Sequence, residues 1–497
     1  MPVKDECLPF LEEEVDAALK TMKGGRTPGH DRITIEMVKW SSRMLIPLIT
    51  ELFNQCLCSC KVPKNMADSL TILLYKKGDP SELRNYRPIS LLSVLYKLLT
   101  KVISKRIEGV LDAEQPREQA GFRRNYSTID HLHAINELIE RCSEFRMPLY
   151  IAFIDYEKPF DTVETNAWNV LQEQVVQGQL ITLLRGIYAD AQSKFKVGET
   201  TVPIKICRGV RQGDMISPKL FTATLEHFFG KLSWNDFGLP VNGNLLTNLR
   251  FADDVVLIAK SAELQTMIDE LDQHSLRCGL KTSTAKTKVM ATAGIAISLR
   301  GTQLERVKSF VYLEQKISLN RDFSEEIVRR IRAGWNCFHR FDKFLTSRTV
   351  EMKYKRASFN MCILPAMLYG AETWVLSKSA ERKLACAQRR MERLMVGVRL
   401  LDKETNAWLC GVTKVKDAVS SARERKWACG WELAMSTDVK WSRQLVEWRP
   451  PLKRPAGRPK ARWRDEFQKV LGTCNWRLIA RARTKKEWID LTRCRIL

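Results

Sequence analysis

The sequence predicts an α+β protein, because short apolar runs typical of strands are surrounded by longer segments with helical periodicity. From Leu149, the run LYIAFIDY is compact and apolar and ends in Asp155. From Leu249, LRFADDVVLIAK contains two further apolar runs on either side of an acidic pair. We therefore expect one strand and one hairpin that belong to the same buried sheet.

The other predicted elements follow from the spacing of apolar residues. A β-like pattern predicts a strand over 70–75, and alternation predicts a hairpin over 193–207 with Gly198 near its turn. Beyond Val307 the chain is predicted to be helical. Apolar residues at helical spacing form one face of a predicted helix, and this face is expected to pack against the rest of the protein. Helical periodicity predicts helices over 8–22, 33–60, 91–111, 162–191 and 218–232.

Composition indicates folded domains that bind a polyanion. With 497 residues, the chain exceeds what one core usually serves, so about two to four packed units are expected. The 81 Lys and Arg residues outnumber the 57 Asp and Glu residues, which gives a net charge of +24. An apolar content of 44% excludes a disordered basic tail. The charge alone does not distinguish RNA, DNA and anionic lipid as partners.

The 14 cysteines are scattered, and the sequence opens without a secretory signal, so we expect reduced thiols rather than disulfides. The cluster Cys56, Cys58 and Cys60 has no neighbouring His and lacks the spacing of a zinc site. No apolar run approaches the roughly 20 residues that a membrane-spanning helix needs. We expect a soluble protein that does not bind membranes.

The acidic pair Asp253 and Asp254 lies inside the apolar run FADDVVLIA. Burying two adjacent carboxylates is costly unless a cation lies between them and a third acid, and Asp155 at the end of its own run is the natural third acid. Two divalent ions held by such acids support phosphoryl transfer. The alternative is an ordinary hairpin turn whose acids face water.

A series of sequence blocks resembles, in the same order, the reverse transcriptases of non-LTR retrotransposons. The C-terminal blocks LPAMLYGAETW from Leu364 and GRPKARW from Gly457 are similar to those of RTE-like elements and argue against a group II intron maturase. The ordered blocks are NYRPISLLSVLYKLLTKVISKRI from Asn85, QAGFRRNYSTIDHL from Gln119, FIDYEKPFDTV from Phe153, GVRQGDMISPKLF from Gly209, FADDVVLIA from Phe251, GLKTSTAKTKVM from Gly279 and FVYLEQKIS from Phe310.

This resemblance implies a right-hand polymerase with fingers, palm and thumb, followed by a helical, basic C-terminal region. The upstream endonuclease domain of such elements is expected to be absent. The predicted units are an N-terminal helical extension with the start of the fingers over 1–84, fingers over 85–146, a palm over 147–293, a primer-grip hairpin and helical thumb over 294–398, and the basic region over 399–497.

The resemblance also implies a function. An RNA-directed DNA polymerase would add dNTPs to a DNA primer on an RNA template, using two Mg²⁺ ions, with Mn²⁺ as an alternative. Asp155, Asp253 and Asp254 match the metal-binding positions, and Tyr156 would offer a backbone carbonyl beside the metals. The life cycle of such elements implies residence in the nucleus, with the cytoplasm as the alternative.

Further roles are implied residue by residue. Triphosphate contacts match Lys76, Lys77 and Arg87, where guanidinium and ammonium groups suit phosphate. Phe160 falls where a bulky ring excludes the 2′-hydroxyl of the incoming sugar. The remaining matches are Gln212 and Gly213 beneath the nascent base pair, Lys286 near the pyrophosphate, and Tyr312 and Leu313 in the primer grip. Taken singly, these side chains could equally be surface charges, core residues or parts of turns.

The sequence departs from the family at Pro159, Ser283 and Glu314, where relatives generally have Ala, Asn and Gly. Proline fixes φ, and a non-glycine residue at positive φ is strained, so both changes predict local distortion. The alternative function is therefore a truncated, inactive relic that only binds nucleic acid. The basic segment Lys453–Lys460 is either a solvated linker or an arm that contacts DNA.

Overall fold

The computed structural model describes residues 7–76, 78–163, 171–174, 176–189, 192–197, 200–205, 208–437 and 440–492. Its strands are β1 Ser69–Tyr75, β2 Tyr86–Leu92, β3 Tyr150–Ile154, β4 Gln192–Val197, β5 Thr200–Lys205, β6 Leu239–Val241, β7 Asn244–Leu246, β8 Asn248–Phe251, β9 Asp254–Ala259, β10 Lys288–Ala291, β11 Ser298–Leu299, β12 Thr302–Gln303, β13 Glu305–Arg306, β14 Ser309–Tyr312 and β15 Gln315–Ser318.

The helices outnumber the strands and lie along the whole chain. They are α1 Glu12–Lys20, α2 Ile35–Trp40, α3 Ser42–Ser59, α4 Lys64–Ala67, α5 Val94–Glu114, α6 Thr128–Phe145, α7 Pro159–Thr162, α8 Gly178–Ala189, α9 Ser217–Phe229, α10 Glu263–Arg277, α11 Ser324–Arg340, α12 Asp342–Leu345, α13 Met352–Ser358, α14 Leu364–Met367, α15 Lys378–Val396, α16 Asn406–Thr413, α17 Ala418–Met435, α18 Trp441–Glu447, α19 Asp465–Leu471, α20 Trp476–Arg481 and α21 Lys485–Asp490.

Two sheets organise the first three hundred or so residues. The central sheet has the order β13-β10-β3-β9-β8, and β3 pairs antiparallel with both β10 and β9. The second sheet has the order β2-β1-β4-β5, in which β1 and β4 run parallel. Strand β3 and the β8–β9 hairpin therefore share one sheet, as the sequence predicts.

The central sheet is covered on both faces, which explains why its strands are apolar without alternation. Alternate residues of β3 point to opposite sides. Ile151 and Phe153 join the cluster that contains the apolar side of α6, whereas Ala152 and Ile154 join the cluster that contains α9 and α10. Both faces of β3 are thus covered by helices, whereas the edge strand β13 is exposed.

The strands predicted over 70–75, 149–155 and 249–260 and, within the described residues, the hairpin over 193–207 are confirmed, whereas the sequence pattern does not predict β2, β6, β7 and β10 to β13. Beyond Val307, the β14–β15 hairpin precedes the predicted helices. Strand β2 overlaps the start of the helix predicted over 91–111. Its Pro88 argues against a central strand, but β2 is at the edge of its sheet, where proline is tolerated. Within the predicted helix over 162–191, residues 171–173 and α8 are helical, while 164–170, 175, 190 and 191 lie outside the described residues, as does Gly198.

The C-terminal third is helical and is not separate from the palm. One cluster joins α11 to α15 with the start of α17, so the predicted boundary at 398 falls inside a packed unit. Trp441 and Trp448 of the basic region belong to the same cluster as α6. A further cluster is built around Trp427, Trp463 and Trp488. Among the described residues, no helix is long and apolar enough to cross a membrane.

The β14–β15 hairpin has a tight turn in which Leu313 and Glu314 both adopt positive φ, at 42° and 62°. The pairing from Ser309 and Ser318 to Tyr312 and Gln315 is complete, so the expected distortion at Glu314 is not observed. The Tyr369 hydroxyl donates a hydrogen bond to the Leu313 carbonyl oxygen at 3.0 Å, and Arg329 donates to the Glu314 carbonyl oxygen. These contacts hold a strained turn in place.

Replacing Glu314 should therefore separate backbone strain from side-chain contacts. We expect Glu314→Gly to unfold with a free energy about 1 kcal/mol higher than Glu314→Ala, because only glycine adopts positive φ freely. Both variants lose the same carboxylate, which makes alanine the matched control. Urea unfolding followed by tryptophan fluorescence measures the difference, and equal stability of the two variants would contradict a strained turn.

Candidate functional site

Strand register brings two of the three predicted acids together. Ile154 of β3 pairs with Val255 of β9, so the next residues along the two strands, Asp155 and Asp254, are cross-strand neighbours. Residues directly opposite each other on antiparallel strands have Cβ atoms about 4.5–5.5 Å apart. Asp253 lies between β8 and β9 in the two-residue turn closed by the pairing of Phe251 with Asp254. All three acids therefore lie at one end of the central sheet.

The three carboxylates perturb one another. The pKa of Asp254 is raised to about 7, first by the surrounding protein and then by the charges of Asp253, Asp155 and Glu314. The pKa of Asp253 is also raised, mainly by burial and then by Asp155, whereas Arg87 and Lys76 act in the opposite direction. The site thus concentrates negative charge that needs a cation for compensation.

The Lys286 side chain lies against Asp155. The Lys286 Nζ atom is 3.1 Å from the Asp155 Oδ1 atom, with the two side chains 64% and 40% exposed. Such an exposed pair contributes little stability and separates easily. In the described part of the chain, no three His, Cys, Asp or Glu side chains lie close enough to hold a metal ion. The donor atoms of the three aspartates are nevertheless carboxylate oxygens, which are the ligands that Mg²⁺ prefers.

The backbone around Asp155 is fixed by the segment that precedes β10. The Asp155 carbonyl oxygen accepts a hydrogen bond from Ser283 N at 2.8 Å, and Asp155 N donates to Thr287 Oγ1 at 3.3 Å. Ser283 thus holds Asp155 through its backbone N–H group. Tyr156, the next residue along the chain, is buried at 3% exposure.

The Gln119 side chain fixes the β8–β9 turn that carries Asp253, a role that the sequence pattern did not reveal. This side chain is fully buried, and its Oε1 accepts hydrogen bonds from Gly121 N at 2.8 Å and from Ala252 N at 3.1 Å. Ala252 has a positive φ of 56° in the turn before Asp253. A Cβ atom on Gly121 would lie 2.2 Å from Ala252 N, so glycine is required there. The only sequence signal is the block QAGF itself.

The β1–β2 hairpin carries the predicted triphosphate ligands. Leu74 pairs with Arg87, and Lys76 N donates a hydrogen bond to the Asn85 carbonyl oxygen at 2.9 Å. The side chains of Lys76 and Arg87 are exposed, and both cations lower the pKa of Asp253. They therefore face the same space as the acids, whereas Lys77 lies outside the described residues.

Phe160 lies on α7, directly after the loop that carries Asp155. Its ring stacks on Phe221 with centroids 4.4 Å apart, and the ring of Phe122 meets it edge-on at 6.3 Å. Pro159 occupies the first turn of α7, where the missing N–H would have no helical partner and a fixed φ is favourable. Lys158, directly before the proline, has a positive φ of 48°, so backbone strain accompanies Pro159 in the loop after Asp155.

The RQGD block joins the palm to the fingers. Gln212 Nε2 donates a hydrogen bond to Asp161 Oδ1 at 3.1 Å, and the Gln212 carbonyl oxygen accepts one from Ser90 N of β2 at 2.9 Å. Gly213 has a φ of 116°, and a Cβ atom there would lie 2.8 Å from the Ser90 carbonyl oxygen. Glycine is needed for this close approach.

The side chains of Tyr312 and Leu313 are buried in the palm. Tyr312 is 3% exposed, and its hydroxyl lies 3.4 Å from His131 Nδ1, while Leu313 is 9% exposed in the same palm cluster. Their side chains thus anchor the β14–β15 hairpin. The side chain of Glu314, at 78% exposure, and Val311, at 45%, are the exposed parts of this hairpin.

Comparison with known proteins agrees with this geometry. The chain is 32% identical over 276 residues to an uncharacterized transposon-derived protein of Caenorhabditis elegans, covering 51% of this chain and 98% of that protein. It is 26% identical to a retrovirus-related Pol polyprotein from the type-1 retrotransposable element R2 of Popillia japonica, over 73% of this chain and 52% of the relative.

A third relative is the RNA-directed DNA polymerase from the mobile element jockey of Drosophila melanogaster, 22% identical over 78% of this chain and 44% of the relative. The chain thus spans about half the length of these last two relatives. The structure overlaps apo telomerase from Candida tropicalis with a TM-score of 0.39 at 12% identity, covering 78% of this chain and 69% of that one.

Residues 74–317 match the family described as reverse transcriptase (RNA-dependent DNA polymerase). These residues contain the central sheet, most of the second sheet, all three aspartates and all but the last residue of the β14–β15 hairpin, and the mixed α+β architecture is that of a right-hand polymerase. The chain belongs to the reverse transcriptase family, and its relatives include enzymes of non-LTR retrotransposons.

Proposed function

We propose that this chain is an RNA-directed DNA polymerase that adds dNTPs to a DNA primer on an RNA template. The observation that carries the proposal is the strand register, which sets Asp155 opposite Asp254 with Asp253 in the adjoining turn. Three acids at the open end of a helix-covered sheet suit metal-assisted nucleotidyl transfer better than a structural role, because their mutual repulsion destabilises the fold without a bound cation.

Asp155, Asp253 and Asp254 would hold two Mg²⁺ ions, or Mn²⁺ in their place, with the Tyr156 carbonyl as an additional oxygen ligand. When bound, the ions supply activation of the primer 3′-hydroxyl and stabilise negative charge on the departing pyrophosphate. Lys76 and Arg87 would orient the triphosphate from the fingers, with Lys77 beside them. Lys286, which is paired with Asp155 in this structure, would move to the pyrophosphate.

The sugar and base of the incoming nucleotide would be selected by the palm. The Phe160 ring, supported by its stack on Phe221, would exclude a 2′-hydroxyl. Gln212 and Gly213 would lie beneath the nascent base pair, where the backbone approaches the fingers closely. The β14–β15 hairpin would hold the primer through its exposed turn, with Tyr312 and Leu313 as its anchor.

An inactive relic is the less favoured alternative. The sequence features that favour it are Pro159 and Glu314. The β14–β15 pairing is complete around Glu314, whereas Lys158 before Pro159 has a positive φ of 48°. Assignment to an RTE-like element, with residence in the nucleus, remains a proposal that rests on the GAETW and GRPKARW blocks.

Replacing Asp253 tests the catalytic role directly. We expect Asp253→Asn to lower primer extension on an RNA template by about 100-fold or more, because a bound metal contributes several kcal/mol to the barrier. Asp269→Asn, which changes an exposed carboxylate on α10, is the matched control and should retain activity. If wild type and Asp253→Asn incorporate equally little dNTP, the enzymatic proposal is lost while the fold assignment stands.

Gln119 is expected to act through the hairpin that carries Asp253. Gln119→Leu keeps the shape but removes the acceptor shared by Gly121 N and Ala252 N, so we expect extension to slow by about tenfold. Gln115→Leu is the control, since Gln115 is also buried and lies on the same segment, where it contacts Thr222 instead. Equal loss of rate in both variants would indicate general destabilisation rather than positioning.

Phe160 should control discrimination against ribonucleotides. We expect Phe160→Ala to raise the efficiency of rNTP incorporation relative to dNTP by about tenfold or more, as the pocket no longer rejects the hydroxyl. Phe160→Tyr retains the ring and should retain discrimination. Single-nucleotide extension with dNTP and rNTP measures the ratio, and an unchanged ratio in the alanine variant would remove Phe160 from sugar selection.

A further inference from the structure

A cluster of cations surrounds a cavity at the far end of the palm from the three aspartates. The cavity has a volume of about 280 Å³ and lies between the end of α6 and the segment Arg454–Lys460. Its charged lining consists of Arg146, Arg321, Arg454, Arg458, Lys460 and Glu144.

The cavity is separate from the catalytic end of the sheet. Arg146 precedes β3 and Asp155 follows it, and the five residues of β3 put about 13 Å between its first and last Cα atoms. A ligand in the cavity therefore cannot be the nucleotide held at the aspartates. The polymerase role proposed above does not use this surface.

The basic segment is fixed at both ends rather than loosely tethered. Trp448, at 3% exposure, packs in the palm cluster, and Trp463, at 2% exposure, packs in the C-terminal cluster. Trp463 N donates a hydrogen bond to Glu140 Oε2 at 3.0 Å, and Trp463 Nε1 donates to the Glu372 carbonyl oxygen at 2.7 Å. Because the ends are held, less conformational entropy is lost when the segment binds a ligand.

Most of the negative charge around the cavity is already neutralised. Arg462 donates to both oxygens of Glu144, with Nε 3.0 Å from Oε2, and Arg454 Nη1 lies 3.6 Å from Glu144 Oε1. Arg321 Nη2 donates to Glu140 Oε2 at 2.7 Å, so this acid is also paired. The lining therefore keeps a net positive charge.

Two of the arginines have side chains without a hydrogen-bond or ion-pair partner in the part of the chain that the structure describes. Arg146 and Arg458 are exposed, and in the described ranges neither guanidinium group forms a hydrogen bond, ion pair or ring contact with another residue. Arg146 adopts a positive φ of 54° at the end of α6, and Arg458 is followed by Pro459, which fixes φ next to it. The backbone thus presents both guanidinium groups at a cavity that repels cations and attracts anions.

We propose that this cavity binds a backbone phosphate of nucleic acid, at a site distinct from the polymerase centre. Planar guanidinium groups bind phosphate oxygens in a bidentate manner, and a cavity of this size accommodates a phosphate group with its water. The site would anchor a segment of RNA or DNA on the back of the palm while the primer terminus occupies the aspartates. Such contacts position the polymer and carry no sequence information.

Salt-dependent binding of two labelled probes tests the proposal. The probes are a fluorescein-labelled RNA hairpin and a DNA duplex of the same sequence, titrated by fluorescence anisotropy over a range of NaCl concentrations. We compare wild type with Arg146→Gln/Arg458→Gln, and with the control Lys23→Gln/Arg43→Gln, which removes the same charge from exposed positions near α2 and α3.

The cavity variant should bind about tenfold more weakly, and its slope of log K against log salt should fall by about 1 to 2, whereas the control keeps the wild-type slope. Loss for the hairpin only assigns the site to RNA, loss for the duplex only assigns it to DNA, and loss for both assigns it to either backbone. Arg146→Lys/Arg458→Lys should restore most of the slope, because it restores the charge.

Two further measurements test whether weaker binding has another cause, such as unfolding or loss of polymerase activity. The melting temperature of the cavity variant should match wild type, and primer extension at saturating primer–template should persist, which keeps this result independent of the polymerase proposal. The proposal is overturned if the cavity variant and wild type bind both probes equally, or if the control loses as much as the cavity variant. Loss of binding to phosphatidylserine vesicles with nucleic-acid binding intact would overturn it as well.

Discussion

The antiparallel pairing of β3 with β9 is the constraint on which the site depends. It sets Asp155 across from Asp254, while the tight β8–β9 turn adds Asp253. Like charges this close together raise the free energy of the folded state. Burial and mutual repulsion accordingly raise the pKa values of Asp253 and Asp254. Apolar burial on both faces of the sheet offsets this cost in free energy.

Residues around the three aspartates fix the backbone segments that carry them. Gln119 satisfies two buried backbone N–H groups, one of them in the turn before Asp253, and the segment it belongs to bonds to Arg250 on β8. Ser283 and Thr287 fix the backbone of Asp155 from the other side. The acidic end of the sheet is therefore preorganised by polar contacts that do not themselves reach the cleft.

The C-terminal region is coupled to the palm through α6. Glu140 of this helix is paired with Arg321 and bonded to the backbone of Trp463, and Arg141 donates to the Val446 carbonyl oxygen at 3.1 Å. Burial and the neighbouring Glu137 raise the pKa of Glu140 to about 7, while Arg321 favours its charged form. Breaking one partner of such a buried pair is costly, so these contacts hold the basic region in one place.

The sequence by itself determined the family, the α+β class, the three aspartates and most of the helices and strands, because ordered motifs and apolar periodicity are local signals. Strands β2, β6, β7 and β10 to β13 are not predicted by the sequence pattern. The pattern of β2 merges with the helix that follows, and its pairing with β1 defines it. The buried contacts of Gln119, the inward orientation of Tyr312 and the fixed ends of the basic segment were decided by tertiary structure alone. Each depends on residues far apart in the chain that become neighbours only after folding, and no local pattern encodes such contacts.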